Sequence, residues 1–209
     1  TVICSEKTGT LTQNRMTCRY LYTALGRVSC DRLTPGPLES ALLWSGALCT
    51  NAKKTATGFL GDPTETAIVS LADAVGVSPT LTRVKENPFD SDRKLMSVIT
   101  SDGAAHIKGA PDRLLPRCTH ILTAGGVQML DSSRLSQIFS EVACLASEGL
   151  RVLAVARKES AGQNPESGAT FLGLIAMEDP PRAEHPGADD GEEADGPAAE
   201  HADGVAGLD

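Results

Sequence analysis

The chain opens on a stretch that limits both its fold and its chemistry. Thr1-Val2-Ile3-Cys4 is a short apolar run, and Ser5-Glu6-Lys7-Thr8-Gly9-Thr10-Leu11-Thr12 follows it directly. A short apolar run bounded by a polar turn reads as a buried strand. A carboxylate at the carboxyl end of such a strand sits where open α/β sheets hold ligands. Thr8, Gly9 and Thr10 supply hydroxyls and close backbone approach suited to phosphate oxygens and a magnesium ion. Lys7 adds a cation for a transferring phosphoryl group. Taken alone, the same residues also fit a polar Thr/Gly turn after a strand.

Along the chain, Met16 to Tyr22 reads as a second strand and Leu38 to Leu48 as a helix. Gly61-Asp62-Pro63-Thr64-Glu65 is a helix start. Asp62 suits the N-cap, Pro63 the first helical position, and Glu65 the third, from which it can reach back to the cap. Ala67, Ile68, Leu71, Ala72 and Val75 form the apolar face, and Gly76 suits the stop. Arg93 to Ser101, Asp102-Gly103 and Ala104 to Lys108 read as a β-hairpin. Ala110 to Cys118 suits a short helix. Ser132 to Glu148 is the clearest helix, with Leu135, Ile138, Phe139, Val142, Leu145 and Ala146 on one face. Val152 to Ala156 and Phe171 to Met177 read as strands.

The net charge of −8 is unevenly spread. Residues 183–209 hold nine acidic residues and no Lys or Arg, which leaves 18 acidic against 19 basic residues before them. With no basic stripe carrying aromatics, a nucleic-acid partner is not indicated. The tail has almost no large apolar side chains, so it is expected to be disordered. The six cysteines form no C-x-x-C pair, which points to reduced thiols rather than a zinc site. No apolar run approaches the roughly 18 residues that cross a bilayer. The opening inside a strand without an initiator Met reads as a piece of something longer.

Six segments, in order, carry a resemblance to P-type ion-pumping ATPases of the calcium-pump and sodium-pump branch. Residues 4–12 resemble the phosphorylation signature CSDKTGTLT. Gly61 to Glu65 resemble GDPTE, Asn87 to Lys94 resemble PFDSDRK with its preceding residue, and Lys108 to Asp112 resemble KGAPE. Gly149 to Ala154 resemble GLRVLA, and Asp179 to Arg182 the hinge DPPR. The resemblance spans residues 1–182. One position departs from the pattern: Glu6 stands where the family has the aspartate that takes the γ-phosphate of ATP.

The resemblance implies an α/β fold. It comprises a mostly antiparallel nucleotide-binding domain with flanking helices and the start of a Rossmann-like phosphorylation domain of haloacid-dehalogenase type. The domains it implies are 1–15 for that start, 16–176 for the nucleotide-binding domain and 177–182 for the hinge, with 183–209 the acidic tail. It carries over Glu6, Lys7 and Thr8 as the catalytic positions, with Thr8 also a magnesium contact through its backbone. Phe89 becomes the residue that stacks on adenine, with Glu65, Lys94, Lys108, Arg151 and Arg182 contacting the rest of the nucleotide. Each also has an ordinary reading: a core Phe, a capping Glu, solvated lysines, a surface arginine. ATP and Mg2+ are the expected cofactors. The expected partners are the actuator and transmembrane domains of the same protein, on the cytoplasmic face of a membrane.

The parent reaction would be ATP-driven cation transport, calcium among the candidates, through an acyl phosphate. With Glu6 in place, this chain is expected to bind ATP without turnover. A non-catalytic nucleotide-binding module is the first alternative. A soluble phosphatase of haloacid-dehalogenase type is the second, opposed by Glu6 and Thr8 where such enzymes carry two aspartates.

Overall fold

The computed structural model describes residues 15–56 and 58–179. The phosphorylation-loop residues Glu6, Lys7 and Thr8, the hinge residue Arg182 and the acidic tail lie outside the described residues. Eleven strands and four helices are described. In chain order the first are β1 (Thr17–Thr23), β2 (Gly26–Ser29), α1 (Pro37–Leu48), β3 (Lys53–Thr55), β4 (Gly58–Leu60) and α2 (Pro63–Ala74). There follow β5 (Arg83–Asp90), β6 (Leu95–Thr100), β7 (Ala105–Gly109) and α3 (Pro111–Leu114). The last are β8 (Cys118–Thr123), β9 (Gly126–Met129), α4 (Ser132–Ser147), β10 (Arg151–Lys158) and β11 (Ala169–Glu178).

The main sheet runs β2-β1-β11-β10-β7-β6-β5. Every pairing along it is antiparallel. β11 is longer than its neighbours and shares one edge between two partners. Its second half pairs with β1, and its first residues pair with β8 in parallel. The mixed α/β class and the mostly antiparallel sheet are as expected.

Side-chain alternation on the strands builds a core on each face. On one face, Val155, Ile175 and Met177 pack against Leu42 and Leu43 of α1 and Ala67, Ile68 and Ala72 of α2. On the other, Leu95, Ile107, Ala154, Ala156, Phe171 and Leu174 pack against Leu114 of α3 and Ile138 and Leu145 of α4. The result is three layers, with helices on both faces of the sheet. Gly173 lets α1 approach the sheet closely: a Cβ there would collide with the Tyr22 carbonyl and a Leu42 methyl.

Several expectations are corrected. The strand expected from Arg93 begins at Leu95, because Arg93 and Lys94 belong to the β5–β6 turn and Lys94 sits at φ 53°. The helix expected over 110–118 is one turn of α-helix and a 3-10 turn at Leu115–Arg117, after which Cys118 starts β8. Phe139, placed on the apolar face of α4, is 37% exposed, at the edge of that face. Strands β2, β3, β4, β5, β8 and β9 had no counterpart in the sequence reading. Most are short or polar segments, such as Lys53–Thr55 with every side chain exposed, so they show no alternating apolar pattern.

Candidate functional site

The helix start at Gly61–Glu65 forms as read, with one change. Asp62 caps α2 through its carboxylate, which accepts from the Thr64 and Glu65 amides at 2.9 and 3.4 Å. Glu65 does not close a reciprocal box with that cap. Its Oε1 pairs with Lys108 Nζ at 2.8 Å, and its Oε2 accepts from the Asn51 backbone amide at 2.8 Å. Both better donors face Glu65 from the tertiary structure, a lysine on β7 and the amide that follows α1. An ion pair plus a backbone donor outcompetes one capping bond to an amide that solvent can satisfy.

Lys108 is brought there by alternation along β7. Ile107 enters the α4 core, so Lys108 points to the α1/α2 face beside Met96 and Val155 of the adjoining strands. The pair is sheltered: the side chains of Lys108 and Glu65 are 7% and 15% exposed. Behind Glu65 a second tier fixes the loop after α1. The Asn51 amide nitrogen donates to Glu86 Oε1 at 2.8 Å, and Arg83 donates to Asn51 Oδ1 at 3.1 Å and to the Thr50 carbonyl at 2.6 Å.

The strand register brings the other candidates to the same end of the sheet. Asp90, Leu95, Gly109 and Ala154 stand opposite one another across β5, β6, β7 and β10. Phe89 lies one residue before Asp90, and Lys94 one before Leu95, so both flank the β5–β6 turn. Arg151 starts β10 three residues before Ala154, projecting past the end of β7 opposite Met177 of β11. Phe89 is 61% exposed, which removes the core reading of that ring. Lys94 and Arg151 are exposed as well. The turn is pressed onto β7: the Lys94 carbonyl accepts from the Ala110 amide at 3.0 Å, and it lies where a Cβ on Gly109 would fall. Lys94 adopts its left-handed conformation inside this turn, with its own amide donating to the Asp90 carbonyl at 2.6 Å.

Five of the sequence-derived candidates thus converge on one end of the sheet: Glu65, Phe89, Lys94, Lys108 and Arg151. Together they present an exposed aromatic ring, the exposed cations Lys94 and Arg151, and the sheltered Glu65–Lys108 ion pair. The ring offers a stacking face, and the cations attract phosphate oxygens. Asn51, Arg83 and Glu86 support this site, and sequence reasoning passed over them because no short motif contains them. Among the described residues, no cluster of three or more His, Cys, Asp or Glu could hold a metal. The magnesium contact assigned to Thr8 falls outside the described residues.

Two cavities lie beside the sheet, the second bordering the Arg83–Thr50 contact behind Glu65. One, of about 430 Å³, is lined by Ala41, Trp44, Val77, Leu122, Arg157 and Leu172 among others. Another, of about 580 Å³, is lined by Thr50, Phe59, Val69, Leu81 and Arg83 among others. Beneath Trp44 lies His106, fully buried, its ring edge-on to the indole at 5.2 Å and its Nδ1 2.8 Å from Ser45 Oγ. Its Nε2 has no hydrogen-bond partner. Burial, aided by the nearby Arg157 cation and opposed by Asp102, pushes the His106 pKa down to about 4. No helix among the described residues is long and apolar enough to cross a membrane.

Comparison with known proteins gives the same direction. Residues 38–184 match the family model for the P-type ATPase cytoplasmic domain N. The Calcium-transporting ATPase 1 of Bacillus cereus is 37% identical over 198 residues, covering 88% of this chain and 22% of that protein. The Calcium-transporting ATPase of Bacillus subtilis is 36% identical, covering 88% of this chain and 25% of its own length. The Probable cation-transporting ATPase F of Mycobacterium tuberculosis is 35% identical, with 88% and 24% covered. The chain therefore spans about a quarter of the curated relatives it matches. With the motifs in order, the antiparallel three-layer domain and a family match over most of its length, the chain belongs to the P-type ATPases and carries their cytoplasmic domain N.

Proposed function

We propose that residues 16–176 form an ATP-binding domain, with residues 1–15 and 177–182 belonging to the neighbouring phosphorylation domain. The observation that carries this reading is the Glu65–Lys108 pair standing at the same end of the sheet as the exposed ring of Phe89. In this reading Phe89 stacks on adenine, and Glu65 accepts from the base amino group when Lys108 releases it. Lys108 and Lys94 contact the base edge or the phosphates, and Arg151 and Arg182 meet phosphate oxygens. Magnesium, held in part by Thr8, would neutralise phosphate charge.

The whole protein, by resemblance, couples ATP hydrolysis to cation transport through an acyl phosphate at position 6. Its nucleotide domain works at the cytoplasmic face beside actuator and transmembrane domains. The names of its relatives make calcium one candidate ion. In this chain the position-6 side chain is a glutamate, so it binds ATP without turnover. The match to domain N favours this reading over a soluble phosphatase.

The test is an ATP titration of the chain followed by amide NMR shifts and calorimetry. Shifts are expected at residues 65, 89, 94, 108 and 151. Phe89→Ala is expected to weaken binding by about 1–3 kcal/mol, the scale of base–aromatic stacking. Shifts that pass these residues by, or an unchanged affinity in Phe89→Ala, would remove the assignment.

A further inference from the structure

The exposure of Phe89 raises a question of mechanism. A ring that is 61% exposed is not oriented by packing of its own, so its position depends on the backbone on either side. That backbone is anchored from the opposite face of the sheet. Ser97 alternates with Met96 and Val98, which face α1, so Ser97 points to the side away from Glu65 and Lys108. There it meets Glu166, which stands in the 159–168 connection before β11 and is 6% exposed.

One buried carboxylate ties together four segments. Glu166 Oε1 accepts from Arg93 Nη1 at 2.5 Å and from the Ser97 hydroxyl at 2.9 Å, and Oε2 lies 3.6 Å from Arg117 Nη1. Arg93, so held, donates through Nη2 to the Pro88 carbonyl at 2.8 Å. Asn87 donates to Ser97 Oγ at 2.9 Å. Asp90 closes the turn by accepting from the Asp92 and Arg93 amides at 3.1 and 2.8 Å. Phe89 therefore sits between a carbonyl fixed by Arg93 and a residue that caps the turn, and Lys94 follows Arg93 directly. The hydrogen bond from Glu166 is also the chief reason that Arg93 holds its proton more tightly than usual.

We infer that Glu166 is a positioning residue for nucleotide binding, acting through Arg93 and the Pro88 carbonyl to set the Phe89 and Lys94 side chains. This rests on the ATP-binding reading above. Glu166 reaches no nucleotide itself, since it lies across the sheet from Glu65 and Lys108. It orders the site before ligand arrives, so that less freedom is lost on binding. A buried carboxylate engaging two arginines has few alternative positions, which suits it to this task.

The experiment measures ATP affinity by calorimetry for the full chain and its Glu166→Ala, Glu166→Gln, Arg93→Lys and Phe89→Ala variants. Glu166→Ala is expected to weaken ATP by about tenfold, within the range that stacking contributes. Glu166→Gln keeps an acceptor for Arg93 and Ser97 and is expected to lose less. Because the part of the effect that passes through Phe89 is already lost in Phe89→Ala, adding Glu166→Ala to it should cost well under a further tenfold, the remainder passing through Lys94. Wild-type affinity in Glu166→Ala, or a full extra tenfold on top of Phe89→Ala, would overturn the inference.

Amide relaxation of residues 88–94 in the nucleotide-free chain reads the anchor without ATP. Loss of order confined to that turn is expected in Glu166→Ala, and an unchanged turn overturns the inference. If the wild-type chain binds no ATP, the nucleotide reading fails, and the relaxation result still decides whether Glu166 holds the turn. Should Glu166→Ala not fold, Arg93→Lys carries the test. It keeps the charge but cannot reach Glu166 and Pro88 together, and it should show the same loss of ATP affinity and of turn order. Wild-type behaviour in that variant overturns the inference.

Discussion

Acidification should destabilise this domain as pH falls from about 6.5 toward 4, and His106 is the reason. The imidazole is fully buried between Trp44 and Ser45, its pKa pushed down to about 4 chiefly by burial. In the unfolded chain it titrates near the ordinary value of about 6.5. A group whose folded pKa is depressed contributes its full stability above the unfolded pKa and loses it as pH falls toward the folded one. Here the unfolded state takes up the proton first, so stability falls between about pH 6.5 and pH 4. Integrating the linkage relation over that interval gives about 2 kcal/mol lost between pH 7.5 and pH 5, and about 3 kcal/mol in total by pH 4.

Arg157 and Asp102 are the charged groups that act on this ring, and Arg157 lowers its pKa further while Asp102 opposes the shift. Asp102 and Glu148 have pKa values held low by their partners, Asp102 chiefly by the Thr100 hydroxyl and Glu148 chiefly by Arg27. The assay is urea unfolding of the chain at half-unit steps from pH 7.5 to pH 5, followed by circular dichroism. The same series on His106→Gln, which keeps a polar side chain without a titrating proton, should be nearly flat. Equal slopes in both proteins, or a wild-type stability that does not change across the window, would refute the argument.

Two further outcomes are expected, one from the packing at Gly109 and one from the side-chain chemistry of Glu6. Gly109→Ala should lose about 1–3 kcal/mol of stability or more in thermal unfolding, because the added methyl would displace the Lys94 carbonyl and the Leu95 side chain. A stable Gly109→Ala chain with unchanged ATP affinity would show that the β5–β6 turn need not press on β7. Incubated with radiolabelled ATP, the chain should form no acid-stable, hydroxylamine-sensitive phosphoenzyme. The extra methylene of Glu6 moves the nucleophile by about an ångström, a misplacement worth on the order of 100-fold. Strong labelling of the unmodified chain would show that glutamate serves at that position.

The sequence alone determined those features whose signals are local. Asp62, Pro63 and Gly76 mark the bounds of α2 within a few residues of where they act, and the 3.6-residue apolar period marks α4. The order of short motifs identified the family and named Glu65, Phe89, Lys94, Lys108 and Arg151 before any fold was known. Tertiary structure decided what those residues do to one another. Glu65 could have closed a capping box three residues away, yet it pairs with Lys108, 43 positions along the chain.

Glu166 carried no signal at all, being one acidic residue in a polar connection, until folding set it against Arg93, 73 positions earlier. The short strands β3 and β4 and the polar edge strand β5 were equally silent, since their hydrogen bonds depend on a neighbouring strand rather than on a pattern of their own. Spacing along the chain encodes contacts made within a turn or two. Contacts across a sheet are settled by register and by which competing donor is nearest once the layers have packed.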